Sequence, residues 1–288
     1  AWGCFCPTCL KIFAKRSGLK LSRVRLVKVF DDPKNGRLRR LWIEQNIETI
    51  ESLMADIAEA VQKVDKKIAL GLMTAGASWT TYTGQAFGRW FTALKATKAR
   101  PGGGFYSDAA PGEMLRKAFD CGQQRTILPA KVADVQYELE NFPYQILKKS
   151  KTALVDECTL ALGYGLNGIA FNMLGTTTTE KDFMPWIDSI PAARPVWEEW
   201  VANSAGLPTA GLWPAWSPKL MAERAVRKGE SWLGWHPQYD VNRPKALFDI
   251  GLPLAADAPG CAAVLCGRIA EAFTDEELKK MLSGGVIM

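Results

Sequence analysis

The chain has 288 residues, 48% of them hydrophobic and 23% charged, with a formal net charge of +6. That composition excludes a disordered or collagen-like polymer and reads as a globular chain, long enough for one large domain or two smaller ones. No run of about 18 apolar residues occurs, so no transmembrane helix is expected, and seven cysteines without scaffold spacing exclude a small disulfide-framework fold.

Unpaired cysteines favour a reducing compartment such as the cytoplasm, or metal ligation. The abrupt opening at Ala1-Trp-Gly-Cys4 and the ending at Gly284-Gly-Val-Ile-Met288 read as a fragment cut at both ends. The positive charge is uneven: residues 1–40 carry eleven Lys and Arg against Asp31 and Asp32. A nucleic-acid patch is one reading; a solvated helix and loop on the outside of a barrel is the favoured one.

Cys4-Phe-Cys-Pro-Thr-Cys9 is C-x-C-x2-C. Three thiolates this close can share one tetrahedral zinc, which needs a fourth ligand that does not follow nearby. The alternative is a tight turn with free cysteines. A short helix starts at Leu10, and residues 21–30 read as irregular and basic. From 37 to 64, Trp42 or Ile43, then Ile47, Ile50, Met54, Ile57, Val61 and Val64 keep spacings of three and four, which predicts a long amphipathic helix. Asp65-Lys-Lys67 turns the chain, and 68–73 is a short apolar run of buried-strand type.

Residues 74–88, with Trp79 and Tyr82, read as a loop over that strand's end. In Ala99-Arg-Pro-Gly-Gly-Gly-Phe-Tyr-Ser-Asp108, three glycines let the backbone pass close to a ligand or another strand. No Lys-Ser/Thr follows them, so this is not a P-loop. Pro111 suits the first turn of a helix to about 122.

Asp134-Val-Gln-Tyr-Glu-Leu-Glu-Asn-Phe-Pro-Tyr144 alternates as a strand. Val135, Tyr137 and Leu139 point one way; Gln136, Glu138 and Glu140 point the other. Pro143 ends it, leaving Glu140 at its carboxyl end. In parallel α/β folds the carboxyl ends of strands build the active site. Glu140 is therefore a candidate nucleophile or general acid/base, or a glutamate in an ion pair with a neighbouring strand.

A helix over 152–165 should bury Leu154, Cys158, Ala161 and Leu162, and a strand from Asn167 should end at Asn172. Residues 183–202 read as helical in parts. Helix and strand alternate through this point, the order of half an eightfold β/α barrel. Residues 206–244, rich in Pro and Trp, read as a linker region with short strands and a helix at about 218–228. The single histidine, His236, lies there and reads as structural. Residues 245–288 begin a second α/β unit, with a capping box at Thr274 and Glu277.

Four stretches resemble the family 42 glycoside hydrolases, β-galactosidase-like retaining enzymes on a TIM barrel. Cys4-x-Cys6-x2-Cys9 with Phe13 is similar to that family's cysteine cluster after barrel strand 4. Glu140-Asn-Phe-Pro-Tyr144 resembles Glu-Gln-Thr-Pro-Ser, whose Glu is the nucleophile on strand 7. Gly165-Leu-Asn-Gly-Ile-Ala-Phe171 resembles the run that opens strand 8. Phe273-Thr-Asp-Glu-Glu-Leu278 is similar to the start of the flavodoxin-like trimerisation domain. Asn-Phe stands for Gln-Thr after the nucleophile, and Asn172-Met-Leu stands where the family has a Trp.

The resemblance implies an α/β chain: the C-terminal half of a (β/α)8 TIM barrel over 1–205, the linker region over 206–244, and the start of a flavodoxin-like domain over 245–288. It implies a retaining glycoside hydrolase acting on an oligosaccharide or glycoside through a covalent intermediate on Glu140, with the acid/base Glu upstream of Ala1. Trp79, Tyr106 and Tyr144 offer rings for sugar stacking; Phe142 reads rather as packing. Arg100, Glu138 and Asn172 complete the substrate-binding set, Glu138 as a carboxylate holding Arg100. No catalytic cofactor is implied; Cys4, Cys6 and Cys9 would hold structural zinc, and the full-length protein would be a trimer. The rivals are a catalytically inactive carbohydrate-binding barrel and a zinc-dependent nucleic-acid binder.

Overall fold

The structure is a computed structural model that describes residues 3–76, 86–173, 179–217, 219–223, 225–234, 246–257, 261–283 and 286–287. The expected residues Trp79, Tyr82 and His236 lie outside the described residues. None of the described helices is long and apolar enough to cross a membrane.

Three helices open the chain: α1 (Pro7–Ser17), α2 (Arg23–Asp31) and α3 (Gly36–Val64). They are followed by β1 (Gly71–Ala75), α4 (Phe87–Leu94), β2 (Lys98–Gly102), α5 (Pro111–Thr126), β3 (Asp134–Glu140), α6 (Lys151–Gly163) and β4 (Gly168–Asn172). Then come α7 (Glu180–Ile187) and α8 (Ser189–Ser204). The fold is α/β, with a parallel four-stranded sheet in sequential order β1-β2-β3-β4. Met73 pairs with Arg100, Lys98 with Asp134, Glu138 with Ala170 and Glu140 with Asn172.

The alternation in β3 sorts the two faces of the sheet. Val135, Tyr137 and Leu139 are buried beneath Phe87 and Phe91 of α4, Leu154, Cys158, Ala161 and Leu162 of α6, and Trp197 of α8. The four buried positions expected on α6 fall at spacings that keep one helix face inward. Ser150 caps this helix by accepting from Ala153 N–H at 3.1 Å. Gln136, Glu138 and Glu140 lie on the opposite face and remain partly exposed.

Residues 21–30 are not irregular. They form α2, capped by Ser22, with Leu26 and Phe30 fully buried against Phe13 and Trp42. Arg23, Arg25 and Lys28 around them obscure an i,i+4 apolar pair. Three of the basic residues near the N-terminus are engaged within the fold. Arg39 is buried and donates to the carbonyls of Phe30 and Asp32 at 2.9 and 2.8 Å; Arg16 pairs with Glu48, and Arg40 with Glu223.

The first strand begins later than the apolar run predicts. Ile68 N–H closes a turn on Asp65 O, and Ile68 is exposed, whereas Thr74 is buried and donates to Gln124 Oε1 at 2.6 Å.

A second parallel sheet has the order β5 (Trp213–Pro214), β6 (Ala263–Val264), β7 (Val286–Ile287). The short strands expected in the linker region include β5, which pairs with β6 and so belongs to the C-terminal sheet. The helix expected over 218–228 is one turn, α9 (Leu220–Glu223), and Trp232 beyond it inserts against Phe30. The capping box at the last helix, Asp275–Ser283, is formed: Thr274 N–H donates to Glu277 Oε2 at 2.7 Å and Glu277 N–H to Thr274 Oγ1 at 3.2 Å.

Candidate active site at the carboxyl end of β3

Glu140 is the last residue of β3. Asn141 N–H still donates to Asn172 O, then the chain turns: Tyr144 N–H donates to Asn141 O at 2.6 Å, and Tyr144 takes a left-handed backbone with φ of 63°. Pro143 removes a donor just where the ladder stops. The turn sends the rings of Phe142 and Tyr144 back over the strand end, with centroids 6.0 Å apart.

Tyr106 arrives from the loop after β2. Its hydroxyl donates to Glu140 Oε2 at 3.1 Å, and its ring packs edge-on to Phe142 at 5.7 Å. Burial, then the nearby Glu140 charge, push the Tyr106 hydroxyl up to about 12. It therefore remains a donor at neutral pH. Phe142, expected as packing, bridges the two tyrosines but stays 52% exposed.

The three glycines before Tyr106 explain how the loop comes so close. A Cβ on Gly102 would overlap Glu138 Oε2 and lie 3.0 Å from its Cδ; one on Gly104 would lie 3.0 Å from the Tyr106 ring, and one on Gly103 3.3 Å from Lys117 Cγ. The glycine run thus makes room for Glu138, Tyr106 and Lys117 together.

One layer below Glu140, Glu138 pairs with Arg100 at 3.4 Å, and Arg100 also meets Met73 Sδ. On the neighbouring strand, Asn172 Nδ2 donates to the Tyr144 hydroxyl at 2.9 Å. Of the residues singled out in the sequence, Arg100, Tyr106, Glu138, Glu140, Tyr144 and Asn172 are all linked around this strand end; Trp79 is outside the described residues.

Behind β3 lies a charged cluster that the strand pattern does not reveal. Glu157 accepts from Lys117 at 2.9 Å, from Lys149 at 2.7 Å and from the Tyr137 hydroxyl at 2.7 Å. The side chains of Lys117 and Glu157 are fully buried and that of Lys149 is 2% exposed. Burial lowers the Lys149 pKa, against the pull of Glu157. In the sequence, Glu157 alone carries a signal, at a core position between Leu154, Cys158 and Ala161 on α6; its lysine partners carry none.

The cysteines form a separate cluster at the start of α1. The sulfur atoms of Cys4, Cys6 and Cys9 lie within 4.8 Å of one another, so the trio could hold a metal ion. Cys6 is the N-cap of α1. Amides of the first turn, Cys9 first, and the neighbouring thiols lower its pKa to about 7. Burial and the neighbouring thiols push Cys9 up to about 12. Three soft sulfur donors with one already inclined to ionise fit a thiophilic ion such as zinc.

No family model, curated protein or solved structure matches this chain.

Proposed function

We propose that the chain carries the nucleophile half of a retaining glycoside hydrolase site, with Glu140 as the nucleophile. The observation that carries this reading is the setting of Glu140: the carboxyl end of a parallel strand, a tyrosine hydroxyl on one carboxylate oxygen, and three aromatic rings around it. Strand ends of parallel sheets are where such folds do chemistry, and flat rings bind the apolar faces of sugars.

In the proposed reaction, Glu140 Oε1 attacks the anomeric carbon. The new ester bond forms as the glycosidic carbon–oxygen bond breaks, and the leaving oxygen takes a proton from a second carboxylic acid. Water then attacks the same carbon, giving its proton to the second carboxylate, now a base, as the ester carbon–oxygen bond breaks and releases Glu140 as a carboxylate. Tyr106, donating to Oε2, leaves Oε1 as the attacking oxygen.

Glu138 is not the second carboxylic acid. Retaining enzymes place their two carboxyls about 5–5.5 Å apart on either side of the bond. Glu138 is one layer down on the same face, about 6.5–7 Å away at Cα, and engaged by Arg100. It and Arg100, with Tyr144 and Asn172, would line the sugar site.

The barrel reading goes with this function. The sequential parallel order and the one-sided helical cover are what half of a (β/α)8 barrel would have, with the Glu138 and Glu140 face turned to its interior. The C-terminal sheet is read as the start of a flavodoxin-like unit that would support trimers. Zinc on Cys4, Cys6 and Cys9 would be structural, tying the start of α1 to its preceding turn, and no catalytic step passes through it. Free thiols favour a reducing compartment.

The experiment is incubation with a 2-deoxy-2-fluoro glycoside carrying a dinitrophenyl leaving group. That phenolate leaves without protonation, so the acid is not needed. Covalent labelling supports an enzyme, whereas reversible sugar binding without labelling would favour an inactive carbohydrate-binding barrel.

A further inference from the structure

The two lysines behind β3 each end on a main-chain oxygen of a glutamate from the site. Lys117 Nζ donates to Glu138 O at 2.7 Å, and Lys149 Nζ donates to Glu140 O at 3.1 Å. Glu157 joins them. Two ammonium groups and one carboxylate are thus buried where apolar side chains would pack at less cost. What apolar side chains could not do is grip those two carbonyls with charge-assisted hydrogen bonds.

Lys149 does more than Lys117. The chain leaves β3 at Glu140 and returns nine residues later at Lys149, so this bond closes the loop that carries Phe142 and Tyr144. Trp186 Nε1 anchors the other side of Lys149 by donating to its carbonyl at 2.8 Å. The Lys149 ammonium also lies 4.7 Å from the centre of the Phe105 ring, next in sequence to Tyr106. One side chain therefore supports both the main chain of Glu140 and the segment presenting its hydroxyl donor.

We propose that Lys149 is a positioning residue for Glu140, fixing the carboxylate from behind the strand through the Glu140 carbonyl and the Phe105–Tyr106 segment. This rests on the reading of Glu140 as nucleophile. Carboxylates in such sites must be held to fractions of an ångström, and a displacement of about 1 Å can cost about 100-fold in rate.

The test is Lys149→Met in the 288-residue chain, which leaves Lys117 and Glu157 as a neutral pair. Leu154→Ala, a core truncation on the same helix, is the control for lost stability. Labelling by the 2-fluoro dinitrophenyl glycoside separates the limiting rate from the half-saturating concentration. The expected result is a limiting rate lowered about 10- to 100-fold in Lys149→Met, with little change in half-saturation and with Leu154→Ala within about twofold of the parent. Equal effects in the two variants would overturn the proposal. Should Lys149→Met lose its cooperative melt, Lys149→Gln takes its place under the same criteria.

Amide hydrogen exchange without any sugar separates this proposal from the functional reading. The amides of Asn141 and Tyr144, both hydrogen-bonded, should exchange faster in the Lys149 variant by a larger factor than core amides of the same chain do, a selectivity that Leu154→Ala should lack. If the parent is never labelled, the nucleophile reading fails while this arm still decides whether Lys149 holds the strand end. Unchanged exchange at those amides would show that it does not.

Discussion

The Tyr106 hydroxyl donates to Glu140 Oε2 at 3.1 Å, joining the loop after β2 to the last residue of β3 across 34 positions of sequence. The bond is solvent-exposed, so it adds little to folding stability and acts on the orientation of the carboxylate. Tyr106→Phe keeps the ring and its packing on Phe142 but removes the donor. Labelling of Glu140 should slow about tenfold or more, with the melting temperature little changed. A labelling rate equal to the parent's would show that the hydroxyl does not orient the carboxylate.

Three tyrosine hydroxyls, Tyr106 partly exposed and the other two more deeply placed, also set an alkaline limit. Burial raises Tyr106 from 10.0 to about 12 and pushes Tyr137 and Tyr164 upward as well. The folded chain therefore binds tyrosine protons that the unfolded chain releases from about pH 10 upward. Stability linked to these groups is fully present below the unfolded pKa and is lost as pH rises through the folded one. Melting temperature should fall between pH 10 and 12 and continue to fall above it for the deeper tyrosines. A flat profile through that window would contradict these burials.

Gly102 is where backbone and site compete for space. A Cβ there would overlap Glu138 Oε2 and press on Glu138 Cδ and Cβ at 3.0 and 3.3 Å. Gly102→Ala should displace Glu138 from Arg100 and cost about 1–3 kcal/mol of stability. Chemical denaturation measures this directly. A variant as stable as the parent would mean that the sheet yields at no cost.

The sequence made β3 legible because its alternation is unbroken and Pro143 stops it. The same arithmetic found the inward face of α6 and the capping box at Thr274. It missed α2, because Arg23, Arg25 and Lys28 dilute the apolar pair Leu26 and Phe30. It also could not find the role of Lys117, Lys149 and Glu157. Lysine and glutamate ordinarily mark solvent, and only their three-dimensional convergence shows that they are paired in the core. The glycine run was read as a close approach, but what it approaches, Glu138 and Tyr106, required the register of β2 against β3. Short strands were expected in the Pro- and Trp-rich stretch, but a two-residue strand such as 213–214 has no period to fix its position or its partner.

The cysteine trio gives a metal prediction. If zinc binds, elemental analysis should find about one ion per chain, and Cys6→Ser should lose it. Chelation should lower the melting temperature, because metal affinity adds to folding stability. A metal-free chain whose melt is unaffected by chelator would leave the three cysteines as free thiols. Glu140 labelling should survive metal removal in chains that stay folded.

Among the described residues, β1 and β4 are each paired on one side only. Open strand edges seek partners. Sedimentation of the 288-residue chain should show concentration-dependent association. A single monomeric species at all concentrations, with a sharp melt, would mean that these edges are protected and would weaken the half-barrel reading.

The central claim is tested most directly by finding which residue a mechanism-based glycoside labels. The account predicts one 2-fluoroglycosyl group per chain, mapped by peptide mass spectrometry to Glu140. Glu140→Gln, nearly isosteric, should abolish labelling while keeping the parent's melt, and Glu138→Gln should still label but melt lower for loss of the Arg100 partner. Labelling at Glu138, or undiminished labelling of Glu140→Gln, would contradict the assignment of Glu140 as nucleophile.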